Sequence, residues 1–310
     1  MRIGVYTKSL NGHRAAYLDF LRKIIPSDAI SLSTVFSFKP PVMFLMVEES
    51  FALYFFSCLY RACLGRKTTG LLFRPLPVVE PGSIRLLIKR YALFFLKRVS
   101  SVSTITIVPH YVDERFQSIS DDWIYDFQMW DLGEQDYGYV SAIRQGRGVA
   151  TGSLGIQILS NKDQRKVVCA LGKQDIAKGI DVFLTSYTES EKLRSNYLFA
   201  FGGGLQGFHS LLEEYASVGG IYANRFVSDS ELLTLYGVSD LVWALYAKDY
   251  DQASGIFGRA VQLGIPVLVR RGSLLHKMCL EEQFCFIALE SESVANLELY
   301  DNELPDRQSV

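Results

Sequence analysis

The feature that most constrains this chain is a repeated alternation of short apolar runs with longer segments of helical period. In the first half, residues 2–6, 42–47, 70–73 and 104–108 read as strands, and residues 13–25, 51–64 and 84–99 as helices. A second round follows. Strands are expected at 166–170, 198–201, 220–223, 241–245, 266–270 and 285–289, with helices at 180–187, 208–216, 230–236, 255–264 and 277–282. The strand runs are rich in β-branched and aromatic residues, and the helical ones carry the longer period. Such alternation predicts an α/β fold with two mostly parallel, doubly wound sheets and helices on their faces. Ligands of such sheets bind at the carboxyl ends of the strands, and here also in the cleft expected between the two domains.

The length of 310 residues fits two domains of roughly 150 residues each. The boundary is expected at 150/151, giving domains 1–150 and 151–310. Residues 118–138 are polar and aromatic without a clear period and read as the end of the first domain. Gly146, Gly148, Gly152 and Gly155 mark residues 140–165 as a linker or loop.

Composition removes several classes of function. Lys and Arg number 32 against 33 Asp and Glu, which argues against a surface built throughout for nucleic acid, and no nucleic-acid partner is expected. Five cysteines without a CxxC pair, and four histidines, predict neither a disulfide framework nor a metal site. The first residues lack the apolar run of a signal peptide, so a cytoplasmic, reducing location is expected. Residues 51–59 are apolar but too short to span a bilayer. Residues 85–98 set Arg85, Lys89, Arg90, Lys97 and Arg98 around Leu, Ile and Phe. This segment reads either as a basic helix lying on an anionic membrane surface or as a domain helix with a solvated basic face, because its charges do not fall on one clean face.

Two blocks carry candidate chemistry. In VVCALGKQDIAKGIDVFL, residues 167–184, a strand ends at Gly172, Lys173 and Lys178 follow, and Gly179 opens a helix. Two ammonium groups beside a helix N-terminus suit a diphosphate, since the free N–H groups and the helix dipole add to their charge. Solvated surface lysines are the alternative. In residues 224–269, Ser254-Gly255 opens a helix after an acidic loop with Asp249 and Asp251, and amides at such a turn can also cradle phosphate. Gly264-Ile265-Pro266 ends that helix and starts a strand.

Together these blocks resemble the C-terminal half of a GT-B glycosyltransferase, most like glycosyltransferase family 4. The Gly-Arg…Lys-Gly pattern of that family is matched by Gly172-Lys173 and Lys178-Gly179. Val227, Glu231-Leu232, Leu235-Tyr236 and Ser239-Asp240-Leu241 match its next run, and Ala260 and Gly264-Ile265-Pro266-Val267 the one after. Of the two acids of its Glu-x7-Glu motif, the first is Asp251 here and the second is Arg259. Arg259 cannot accept a hydrogen bond from a ribose. The resemblance covers about residues 165–290 by motif and residues 1–115 by architecture only. It implies two Rossmann-like domains facing each other across a cleft, in a short and partly degenerate form.

The resemblance further implies a sugar transferase with a nucleotide-sugar donor as co-substrate and no cofactor, retaining the anomeric configuration without a metal. Asp251, Lys178 and Lys173 take catalytic positions. Gly12, His13, Gly172, Phe226, Val227, Ser254, Gly255, Ile256 and Arg259 take donor-binding positions, and Glu48 and Arg74 acceptor-side ones. The acceptor is expected to be a sugar or lipid-linked sugar of bacterial surface polysaccharide. The chain is then expected in the cytoplasm, at the inner face of the plasma membrane. Two other readings stay open. One is a non-catalytic nucleotide- or sugar-binding protein on a degenerate GT-B fold, which Arg259 favours. The other is a dinucleotide oxidoreductase using Gly202-Gly203-Gly204, which lacks the acidic residue some twenty positions on.

Overall fold

Short apolar strands need partners on both edges, and the chain supplies them in two six-stranded, all-parallel sheets. The structure, a computed structural model, describes residues 2–10, 13–290, 294 and 297, and of His13 only the backbone. It divides into two compact units, residues 1–127 and 128–310.

In the first unit the strands are β1 (Ile3–Tyr6), β2 (Ser27–Ala29), β3 (Val42–Phe44), β4 (Thr68–Leu72), β5 (Val102–Thr106) and β6 (Asp122–Trp123), in the order β2-β1-β3-β4-β5-β6. The edge strands β2 and β6 are three and two residues long and partly polar, so no period announces them. Val5, Leu18, Leu45, Leu71 and Phe127 form a core cluster, with Tyr17 donating its hydroxyl to Asp126 at 2.5 Å. Arg61, on the helix Phe51–Cys63, is fully buried without a carboxylate. Its guanidinium donates to the carbonyls of Val35, Phe38, Pro40 and Lys67 and to the Thr68 hydroxyl, at 2.7–3.1 Å. Backbone oxygens thereby replace the water that an interior cation loses.

In the second unit the strands are β7 (Lys166–Leu171), β8 (Tyr197–Gly202), β9 (Ile221–Ala223), β10 (Leu241–Ala244), β11 (Val267–Arg270) and β12 (Phe286–Leu289), in the order β12-β11-β10-β7-β8-β9. Every residue of β8 and β10 is buried, as strands covered on both faces must be. Phe183, Tyr187, Phe199, Tyr215 and Trp243 pack ring against ring over this sheet, with centroids 4.7–6.4 Å apart. This is a doubly wound, Rossmann-like unit, as the alternation of strands and helices predicts.

The stretch at 140–165 is not a linker. It holds the end of one helix, Glu134–Arg144, and all of another, Ser153–Asn161. Val140 and Ile143 of the first are buried, and Ile143 lies against Gly237 of the helix Asp229–Val238. At Gly155 a side chain would stand 2.5 Å from Thr234 Cγ2, so this glycine marks close helix packing rather than a loop. Residues 128–150 accordingly fall within the second compact unit.

Candidate functional site

In the second sheet the chain leaves β7 toward one edge and β10 toward the other, and these two strands are neighbours. An open α/β sheet forms its binding crevice outside the carboxyl ends of such a pair. The loop after β7 begins at Gly172, continues through Lys173, Gln174 and Asp175, and reaches the helix Ile180–Glu189 through one short turn, Ile176–Lys178. Asp175 caps that turn, accepting from the Lys178 amide at 3.1 Å. The loop after β10 leads to the helix Gly255–Gln262.

Hydrogen bonds to backbone carbonyls fasten the loop after β7 to β10 and to the loop that follows it. Trp243 Nε1 donates to the Lys178 carbonyl and Ala247 N to the Ala177 carbonyl, both at 3.0 Å. Ile256 packs on Gly172, where an added Cβ would meet its Cδ1 at 3.4 Å. Gly179 has φ +71° and its missing Cβ would stand 2.4 Å from the Leu245 carbonyl oxygen, so both the left-handed turn and the close approach demand glycine. A third strand end joins through Gly203, where a Cβ would stand 1.8 Å from the Gly172 carbonyl oxygen. Gly172, Lys178 and the segment Ser254–Ile256 are thus brought into one patch.

The patch gathers two lysines, two carboxylates (Asp175 and Asp181) and two helix N-termini. Two helices begin at it, each with amides that lack intrahelical partners. Lys173 is exposed and Lys178 half-buried. Burial pushes the Lys178 ammonium below the ordinary lysine value; Lys173 acts in the same direction and Asp175 opposes it. A cation short of water and beside another cation gains from an anionic ligand. Ser254 does not cap its own helix; its hydroxyl pairs with that of Tyr246 at 2.7 Å.

The other candidates of this unit are distributed around that patch. Both Asp251 oxygens are engaged: Oδ1 accepts from Leu274 N at 2.8 Å, and Oδ2 from Arg270 at 3.0 Å. Burial nevertheless raises its pKa above the ordinary carboxylate value. Arg259 pairs with Asp131 at 2.9 Å, and Gln262 holds the other Asp131 oxygen at 3.0 Å. The segment carrying Gln128 therefore lies along the helix: a Cβ at Gly255 would stand 1.8 Å from Gln128 Oε1. Gln128 and Asp131 escaped the sequence reading, because nothing periodic ties them to positions over a hundred residues away. Val227 approaches Gly202 at the end of β8, and the neighbouring Phe226 is 87% exposed. Glu231 forms a two-pronged pair with Arg225, at 2.7 and 2.8 Å, which holds its carboxyl below the usual range.

In the first unit the corresponding crevice lies at the ends of β1 and β3. Gly12 and the His13 side chain lie outside the described residues. Glu48 and Glu49 stand on the turn Val47–Ser50, immediately past β3. Glu48 Oε1 accepts from the Arg74 amide at 2.7 Å, and Glu49 Oε1 from Arg14 Nε at 2.6 Å. The second oxygen of each carboxylate is buried without a hydrogen-bond partner. Arg14 is a further residue that the sequence reading did not single out. Among the described residues, no group of three or more His, Cys, Asp or Glu could hold a metal ion.

No family model matches the chain, and no curated protein matches it. Solved structures do. HepE of Anabaena in complex with UDP is 13% identical, with a TM-score of 0.66 over 100% of this chain and 93% of that one. WaaG, a glycosyltransferase involved in lipopolysaccharide biosynthesis, is 14% identical with a TM-score of 0.53, over 100% of this chain and 92% of that one. A putative UDP-N-acetylglucosamine 2-epimerase from Listeria monocytogenes is 10% identical with a TM-score of 0.53, over 99% and 90%. These likenesses show the fold, two Rossmann-like domains of the GT-B type, and they do not single out glycosyltransferase family 4.

Proposed function

We propose that this chain is a glycosyltransferase, of the family 4 type, that moves a sugar from a nucleoside-diphosphate donor to a hydroxyl of a sugar or lipid-linked sugar acceptor. The observation that carries this reading is the patch at the ends of β7 and β10, where Lys178, Lys173 and two helix N-termini converge. HepE structures with UDP and with UDP-glucose support the choice of donor. As the bond between the anomeric carbon and the phosphate oxygen breaks, negative charge grows on the departing diphosphate. Preorganised donors aimed at that charge stabilise the transition state more than the bound donor. Lys178 and Lys173 supply mobile positive charge, and the amides near Ser254–Ile256 supply fixed dipoles. Phe226 offers an exposed ring for the base. Asp251 serves as a positioning residue: by tying Arg270 to the Leu274 amide it holds the loop after β10 in place. Glu48 and Arg74 of the first unit belong to the acceptor side, and bacterial surface polysaccharide assembly is the setting this acceptor suggests.

One observation favours a second reading, a non-catalytic nucleotide or sugar binder. Arg259 occupies the position of a ribose-holding acid and is paired inward with Asp131. Incubation with a panel of UDP-sugars and oligosaccharide acceptors, followed by mass spectrometry, separates the two. A product heavier by one sugar, with release of UDP, is expected. UDP binding without donor consumption across the panel would establish the second reading instead.

A further inference from the structure

The helix Ile84–Leu96 buries Leu93 and Leu96 and leaves a second apolar stripe in the open. Ile84, Ile88, Tyr91 and Phe95 are 75%, 62%, 65% and 51% exposed. Leu87 and Phe94 are exposed beside them. At a helical turn of about 100° per residue these six positions span an arc of about 120°. The helix Phe51–Cys63, whose Phe51 ring lies under Lys89 Nζ at 5.3 Å, exposes Phe56 and Tyr60 as well.

The basic residues of this segment do not form the outward face. Arg90 donates to the Val79 carbonyl at 3.3 Å, and Lys97 to the carbonyls of Gln117 and Ser120. Arg98 stacks over Phe94 at 3.9 Å. These charges edge the stripe instead of filling it. Arg85 lies exposed on one side, and Lys97 and Arg98 lie exposed at its end. Neither helix contains an acidic residue.

We infer that this stripe is the surface by which the protein lies on an anionic lipid bilayer, with Ile84, Ile88, Tyr91 and Phe95 entering the headgroup–acyl boundary. An apolar arc edged by arginine and lysine fits that boundary, where the side chains lose water and the edging cations meet lipid phosphates. Tyr91 suits it too, with an apolar ring and a polar tip. A second copy of the chain fits less well: a two-fold contact through this stripe would face one rim of cations against another, with no acid in either helix to answer it. No helix among the described residues is long and apolar enough to cross a membrane, so the attachment is to one face of the bilayer.

Co-sedimentation of the full chain with vesicles tests this inference. Vesicles of phosphatidylcholine with phosphatidylglycerol are expected to carry the protein down, and phosphatidylcholine alone less of it. The double variant Ile88→Glu, Phe95→Glu is expected to bind roughly tenfold or more weakly, and its UDP binding by calorimetry to equal that of the parent. That second reading certifies the fold and keeps the outcome separate from the donor proposal. Failure of the parent to bind either vesicle would overturn the inference, as would unaltered binding by the variant. A concentration-dependent dimer that the variant abolishes would also overturn it, by assigning the stripe to a second copy.

Discussion

The two units share a parallel, doubly wound architecture, yet they finish the carboxyl ends of their central strands in opposite ways. In the second unit the tip is made of backbone and glycine: Gly172, Gly179 and Gly203 let three strand ends approach within contact, and lysines stand beside them. In the first unit the tip is made of carboxylates: Glu48 and Glu49 are held by the Arg74 amide and the Arg14 guanidinium, with one oxygen of each left buried and unpartnered. One tip is suited to an anion, the other to groups that donate hydrogen bonds. A shared fold therefore says little about which ligand goes where, and the side chains at the strand ends say much more.

Substitutions that separate the two units test this contrast. The largest effect is expected in the first unit at Arg61. Arg61→Ala would take the guanidinium from four buried or part-buried carbonyls, at a cost of about 3–5 kcal/mol. Hydrogen exchange read by mass spectrometry should show protection lost in residues 1–127 and kept around β7 and β8. Loss spread equally over both units would blur the distinction.

Gly203→Ala comes next. The new Cβ would collide with the Gly172 carbonyl oxygen at a φ of +151°, and about 2–4 kcal/mol of stability should go with it. UDP affinity should fall in the same variant, because the turn carrying Lys173 moves with Gly172. Urea unfolding and calorimetry report the two effects, and a midpoint shift without loss of affinity would detach the glycine contact from the site.

Arg259→Ala should cost about 1–3 kcal/mol by leaving Asp131 without its ion pair. It should leave UDP affinity as it was, since the arginine is turned to the protein. A large drop in affinity would restore a donor-binding role to this position.

The smallest effect is the pH dependence of UDP binding. Burial sets the Lys178 pKa below the ordinary lysine value in the free protein, and a bound diphosphate raises it. Binding is then accompanied by proton uptake as pH rises through the free-state pKa, and affinity falls in that window. Affinity that rises over the same alkaline range would contradict the direction of the shift.

Much of the second unit was legible in the sequence, because periodicity and glycine are local signals. The helices opened by Gly179 and by Ser254-Gly255, and the strand after Pro266, stand where the motifs put them. What local pattern does not carry is long-range pairing. The Arg259–Asp131 pair joins residues 128 positions apart, and Glu49 meets Arg14 across 35. Gly155 misled for a related reason: glycine signals both loops and close helix contact, and only Thr234, brought near by the fold, distinguishes them. On the helix Ile84–Leu96 the charges drew attention, whereas the exposed stripe beside them appears only when the buried side of the helix is known.

The central claim is that the tip of the second unit holds the donor diphosphate through Lys178. Isothermal calorimetry with UDP on the parent, Lys178→Ala and Glu48→Gln tests it most directly. Removing one charged phosphate contact should weaken binding in Lys178→Ala by roughly 10- to 100-fold. Its thermal midpoint should not fall, since the substitution removes a desolvated cation. Glu48→Gln should bind UDP like the parent. Equal UDP affinity in the parent and Lys178→Ala, or a loss confined to Glu48→Gln, would contradict the account.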